Sequence, residues 1–215
     1  MQIKTLEVAG IGPAVRAMRN PFDSWDRSDT IHGRIGRKDM ELSEKLAKAG
    51  PAHCKHLRLV QVWAEIWAPR FWWMEFATHR HGVEMLSCST MHRLTARDLT
   101  PEDFEWSGSD YELRRLVEQL NELLHDYRTA GDCGAPSDQS LAWRELIECL
   151  PQSYIQRRTV MMSYAALRNM YQLREGHRLR EWGKFRYWCR SLPESWMITG
   201  ELPPTVGGAD EVDDA

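Results

Sequence analysis

The five cysteines, Cys54, Cys88, Cys133, Cys149 and Cys189, are scattered, odd in number and never spaced Cys-x-x-Cys. That excludes a disulfide framework and a Cys-based zinc site, and leaves reduced thiols in a cytoplasmic protein as the expectation. No apolar run approaches membrane-spanning length, and the start, Met1-Gln-Ile-Lys-Thr-Leu-Glu-Val8, lacks the basic-then-apolar order of a signal peptide. The formal net charge is only −3, so no general attraction to nucleic acid or anionic membrane is implied. Gly10-x-Gly12 has no third glycine and reads as a turn, not a dinucleotide fingerprint. No nucleophile triad stands out, and His81 and His92 have no carboxylate or thiol at metal-ligand spacing, so no metal is expected. What is present is a chain of 215 residues, long enough to bury a full core, and an unusual ten tryptophans. Trp63, Trp67, Trp72 and Trp73 cluster, which implies a large buried aromatic region or an oligomer interface.

Taken in order, Ile3, Leu6 and Val8 read as a first strand ending at Gly10, and Ala14–Arg19 as a helical turn stopped by Asn20-Pro21. Residues 22–38 read as loop, and Asp39–Ala49 as a short helix closed by Gly50-Pro51. His56–Ile66 suits a strand buried on both faces, after which Pro69 opens a helix over Phe71–Ala77. Val83–Met91 is a short element carrying Ser87-Cys88-Ser89-Thr90, which is either a plain strand and turn or a phosphate pocket ahead of Arg93. Thr100-Pro101 looks like a capped helix start. Leu113, Leu116, Val117, Leu120, Leu123 and Leu124 make Asp110–Arg128 the clearest amphipathic helix, with a loop over 131–138 and another helix over Ser140–Leu150. From Gln156 no glycine or proline intervenes until Gly176, and the spacing predicts a helix with Ser163, Leu167, Met170 and Arg174 on one face. Arg174 then either offsets the negative helix end or presents a cation at the mouth of a site. A last helix continues through Lys184–Arg190. The whole reads as α+β, a mixed or antiparallel sheet with a helical bundle, in one domain over 1–202 with an acidic, disordered tail over 203–215.

Two stretches carry a resemblance. Leu150-Pro151, Leu167, Asn169 and Leu173-Arg174 fall in the register of the flavin-dependent thymidylate synthases, which use FAD to methylate deoxyuridylate. His177-Arg178-Leu179-Arg180-Glu181-Trp182 is similar to the motif that follows there, one residue closer. Ala68-Pro69-x-Phe71 leading to Thr78-His79-Arg80 resembles the family's Ala-Pro-x-Phe leading to Arg-His-Arg. The departures are specific: Thr78 stands for the first Arg of that triplet, Glu75 for a Gln, Cys88 for a Ser, and Ser163 and Ala165 for the Asn and Arg of Asn-x-Arg. Ile147 stands where the family has a phosphate-contacting Arg, with Arg144 one turn back as a substitute.

The resemblance implies a set of roles. Arg174 would be catalytic and hold the pyrimidine; His79, Arg80, Asn169 and His177 would contact FAD; Ser87, Cys88, Ser89, Arg93 and Arg144, with Arg174, would bind the substrate. It also implies NADPH and methylenetetrahydrofolate as co-substrates, and a homotetramer with sites at subunit junctions. Because the cofactor carries the chemistry, the protein needs cations and hydrogen-bond donors more than a nucleophile. Two other classes stay open. One is a nucleotide-binding relative that has lost turnover. The other is a nucleic-acid-binding protein using the basic, aromatic run Lys184–Arg190.

Overall fold

A computed structural model describes residues 1–204, so the acidic segment expected to be disordered lies, from residue 205 on, outside the described residues. Four strands form one sheet: β1 (Gln2–Ala9), β2 (Gln61–Pro69), β3 (Val83–Ser87) and β4 (Ile155–Ser163), in the order β1-β2-β4-β3. Tyr164 N–H donates to the Val60 carbonyl and Arg70 N–H to that of Tyr154, so β2 and β4 run antiparallel. Ser163 pairs with Gly82 and Cys88 with Arg157 in the same sense, which makes β3 antiparallel to β4 as well.

The chain falls into two compact units. The first comprises Met1–Lys4, Ala64–Arg80 and Glu84–Val160. It holds helices α3 (Arg70–Phe76), α4 (Thr90–Arg93), α5 (Asp110–Asp132) and α6 (Pro136–Cys149). Numbered in chain order, the second unit holds α1 (Ile11–Ala17), α2 (Arg37–Lys48), α7 (Tyr164–Leu173), α8 (Arg180–Arg190) and α9 (Trp196–Thr199). It consists of Thr5–Trp63, His81–Val83 and, of the described residues after β4 begins, 161–204.

In the first unit α5 and α6 form a helical hairpin over an apolar cluster of Leu113, Val117, Leu120, Leu124, Leu146 and Leu150, against which Phe104 and Leu94 pack. Ser109 caps α5 by accepting from Glu112 N–H, and Pro136 begins α6 where its missing N–H costs nothing. The loop expected over 131–138 shrinks to three residues, because α5 runs to Asp132 and α6 starts at Pro136. The expected aromatic region is real in α3: Trp72, Trp73 and Phe76 are buried with ring centroids 4.9, 5.0 and 5.3 Å apart.

Two expectations need correction. The strand expected over 56–66 starts only at Gln61, after a tight turn at Lys55–Arg58. It is buried on one face through Val62, Ala64, Ile66 and Ala68, while Trp63 and Trp67 on the other are half-buried. The larger correction concerns 156–175, which is not one helix: β4 ends at Ser163 and α7 begins at Tyr164. Gln, Arg and Met favour helix by propensity, but Ile155, Thr159 and Val160 are β-branched, and the stretch sits between two strands that satisfy both edges of its backbone. Tertiary pairing outweighs a local preference of tenths of a kcal/mol per residue, about 0.7 at most for these side chains.

Candidate functional site

The second unit contains a cleft of about 630 Å³ where β4 turns into α7. Ser163 is buried at that corner; its Oγ accepts from Ala166 N–H at 3.2 Å and caps the helix, while its N–H donates to the Gly82 carbonyl at 2.8 Å. Gly82 has φ +70°, and a Cβ there would collide with Ser163 Oγ. The backbone of 81–83 therefore lies against the helix start only because residue 82 has no side chain. Ser163, Gly82, His81, Asn169, Arg58 and Gln61 line the cleft, and among the described residues no carboxylate does. Such a lining suits an anionic, hydrogen-bonding ligand, and the volume falls in the ordinary range of small-molecule sites.

Arg168 also borders this cleft, but its charge is committed. Its two terminal nitrogens donate to the Glu44 carboxylate at 2.9 and 3.0 Å, and one of them also reaches the Met197 carbonyl at 3.1 Å. Glu44 is buried, so the pair is a structural tie between α2, α7 and α9. Nearby His56 is buried, with Ser43 Oγ 2.7 Å from Nε2. Burial, reinforced by the positive charge of Arg168, pushes its pKa down to about 4, so it is neutral at physiological pH.

Beyond the C-terminal end of α7, Arg174 lies with its guanidinium 4.7 Å from the centre of the Trp182 ring. Gly176 turns the chain at φ +63°, and His177 then accepts from Leu179 N–H at 3.1 Å and meets the same indole edge-on, 6.2 Å between centroids. Trp182 is fully buried, so Arg174, His177 and α8 share one support. Asn169, one turn earlier, is exposed on the cleft side of α7, and Ala165 lines the same cleft. The basic run in α8 is tied down within this unit. Arg186 lies 4.3 Å over the Tyr171 ring and pairs with Glu175, Arg190 donates to the Tyr171 hydroxyl, and Trp182, Phe185 and Trp188 are buried.

The first unit carries the remaining sequence-derived residues. His79 follows α3, its N–H on the Phe76 carbonyl, and Arg80 is exposed beside it. Thr78 spends its hydroxyl on the Glu75 carbonyl, closing the helix. Ser87 ends β3, Cys88 and Ser89 join it to α4, and Arg93 ends α4 with its N–H on the Ser89 carbonyl. Arg144 is on the exposed face of α6 and bonds Glu148 at 2.8 Å.

Sequence reasoning missed two residues in this unit. Gln156 Nε2 donates to the Cys88 carbonyl at 3.2 Å and to Thr90 Oγ1 at 3.1 Å, clamping the 87–93 segment to β4. Arg158, on the same face of the strand, lies 4.5 Å over the Trp73 ring and donates to Gln156 Oε1 from Nε at 3.1 Å and Nη2 at 2.8 Å. Reading 156–175 as a helix hid them, because two residues apart is one face of a strand but not of a helix. Among the described residues no group of three or more His, Cys, Asp or Glu is placed to hold a metal ion. Nor, among them, is any helix long and apolar enough to cross a membrane.

Set beside known proteins, the chain matches no family model and none of the curated sequences. Its fold does have counterparts. A flavin-dependent thymidylate synthase, ThyX, from Helicobacter pylori, solved in complex with FAD and dUMP, superposes with a TM-score of 0.74 over 94% of this chain and 100% of that one, at 18% identity. A second structure of Helicobacter pylori ThyX with FAD and dUMP gives 0.73 over 93% and 98%, again at 18% identity. The likeness is one of fold. It spans the helices and the antiparallel sheet nearly end to end, while fewer than one residue in five is shared.

Proposed function

We propose that this protein is a flavin enzyme that transfers a one-carbon unit to C5 of a deoxyuridylate-type nucleotide. The observation that supports this most is the cleft at the β4–α7 corner, lined by no carboxylate among the described residues, in a fold shared along almost its whole length with enzymes solved with FAD and dUMP. The residues present there fit a flavin. Asn169 offers an amide to a ring edge, the Gly82 backbone allows close approach, and the cleft presents cationic Arg58 to phosphates. Asn169, His177, His79 and Arg80 would hold FAD, and a bound reduced flavin supplies the hydride that completes methylation.

The chain's own residues have simpler work. Arg174, backed by Trp182, would hold the pyrimidine and stabilise negative charge on its carbonyl oxygen as C5 becomes nucleophilic. Ser87, Cys88, Ser89 and Arg93 would seat the nucleotide phosphate, and Arg144 is the sequence-derived addition to that set. Methylenetetrahydrofolate as one-carbon donor, NADPH as reductant and a homotetramer with sites at subunit junctions complete the proposal.

The test is direct. Purified protein should show flavin absorbance, bind deoxyuridylate and release tritium from C5-labelled deoxyuridylate when given methylenetetrahydrofolate and NADPH. A colourless protein that takes up no added FAD rejects the reading. One observation favours a second reading, a nucleotide-binding relative without turnover. Thr78, Ala165 and Ile147 stand where the resembling motifs carry cations, and Thr78 only closes its own helix. Nucleotide binding without tritium release would decide for it.

A further inference from the structure

Arg158 is a half-buried cation with no carboxylate to neutralise it among the described residues. Every other feature around it fixes its orientation. The Trp73 ring lies under its plane at 4.5 Å, Gln156 Oε1 accepts from Nε and Nη2, and Met85 Sδ lies 3.1 Å from Nη1. Trp73 is held in turn, since its indole N–H donates to the Gln156 carbonyl at 2.9 Å. Three of the five N–H donors of a guanidinium are thus engaged by this frame, which leaves one on each terminal nitrogen. Burial lowers its pKa from the usual arginine value, the mark of a charge that loses water and gains no counter-ion.

Arginines buried only for stability are as a rule paired with acids, as Arg19 is with Asp39 and Arg168 with Glu44 in this same chain. Arg158 is stacked and aimed instead, and the amide that aims it also clamps the Cys88 carbonyl and the Thr90 hydroxyl. Guanidinium and loop are therefore one hydrogen-bonded assembly, with two donors left for an external anion. By contrast, Arg144 spends its charge on Glu148, and Arg157, the next residue along, is half-exposed and 3.9 Å from Glu65.

We propose that Arg158, framed by Trp73 and Gln156, is a further cation that binds the phosphate of the nucleotide substrate, together with the 87–93 segment to which Gln156 is bonded. This rests on the reading of the protein as a deoxynucleotide enzyme, and it deepens that reading by naming a residue that sets the preference for nucleotide over nucleoside.

The experiment titrates flavin-loaded protein with deoxyuridylate and, separately, with deoxyuridine, in wild type and in the Arg158→Gln, Arg158→Lys and Arg157→Gln variants. Arg158→Gln should weaken deoxyuridylate binding about 10- to 100-fold, as loss of a charge-assisted hydrogen-bond pair implies, and leave deoxyuridine and flavin absorbance unchanged. Arg158→Lys should recover part of the loss, because an ammonium keeps the charge but not the planar fork. Arg157→Gln, which removes the same charge one residue away, should change neither ligand. Equal weakening of nucleotide and nucleoside, or no weakening of either, overturns the role of Arg158 while leaving the proposed function standing. If wild type binds neither ligand, the proposed function fails first. Inorganic phosphate then reads the anion site alone, and an identical response of wild type and Arg158→Gln overturns it.

Discussion

The guanidinium of Arg174 and the imidazole of His177 rest on the same indole, that of Trp182. The ring is fully buried, so the two polar groups are positioned by a part of the core and not by flexible surface. A cation on an aromatic face contributes about 0.5–2 kcal/mol. Arg174→Ala should therefore lower stability by no more than that, while in the role proposed for it, stabilising developing charge on the pyrimidine, its loss should cost about 100- to 1,000-fold in turnover. Trp182→Ala should cost about 3–5 kcal/mol through the cavity it leaves. Urea unfolding of both variants, with tritium release from C5-labelled deoxyuridylate, separates the two effects. An Arg174→Ala protein as unstable as Trp182→Ala would make Arg174 a packing residue.

Gly82→Ala makes a second prediction at the cleft. The substitution places a Cβ at φ +70° and drives it into Ser163 Oγ, the cap of α7. Left-handed strain costs about 1–3 kcal/mol, and loss of the cap about 1 kcal/mol more. Ser163→Ala removes the colliding oxygen, so Gly82→Ala should cost measurably less in that background than alone. A double-mutant cycle on melting temperature reads the difference, and strict additivity would mean that the two residues do not meet.

The alternation and capping signals that made β1, α3 and α5 legible are local, and those elements stand close to where the sequence places them. The segment 156–163 was not legible for a physical reason. Its side chains favour a helix, and only pairing with strands 69 to 104 residues earlier makes it extended. With that segment misread, Gln156 and Arg158 could not be seen as one face. The residues found through motif spacing, Asn169, Arg174 and His177, lie on α7 and just beyond it, where helical spacing does apply. The bonds that spend Arg168 on Glu44 and Arg144 on Glu148 need coordinates, since nothing in the sequence says which arginines are already neutralised.

A third prediction concerns Asp39, buried in the second unit. It accepts at 2.6 Å from each of Arg19 Nε, Ser28 Oγ and Thr30 Oγ1. Burial alone would raise its pKa, but the hydrogen bonds from Ser28, Thr30 and Arg19 outweigh it and hold the carboxyl below its usual range. Asp39→Ala strands Arg19, itself buried, and should cost about 3–5 kcal/mol. Replacing both residues by apolar ones of similar size should recover much of that loss, because the stranded charge is then gone. Denaturant midpoints of the single and double variants test this, and equal destabilisation of the two would show that the pair contributes beyond mutual neutralisation.

His56 sets the acid limit. Its pKa falls from 6.5 to about 4 on folding, through burial first and the charge of Arg168 second. The unfolded chain therefore binds a proton at a pH where the folded chain does not, and the unfolded state gains from acidification. The contribution of neutral His56 is fully present above pH 6.5 and is lost as pH falls through the interval down to about 4. At 1.36 kcal/mol per pKa unit, the loss amounts to about 3 kcal/mol. His56→Gln keeps a polar group facing Ser43 Oγ but cannot titrate, so the unfolding free energy of that variant should be flatter by about this amount between pH 6.5 and 4. Urea titrations at half-unit steps of pH measure both slopes. Parallel profiles for wild type and variant would show that other groups carry the acid sensitivity.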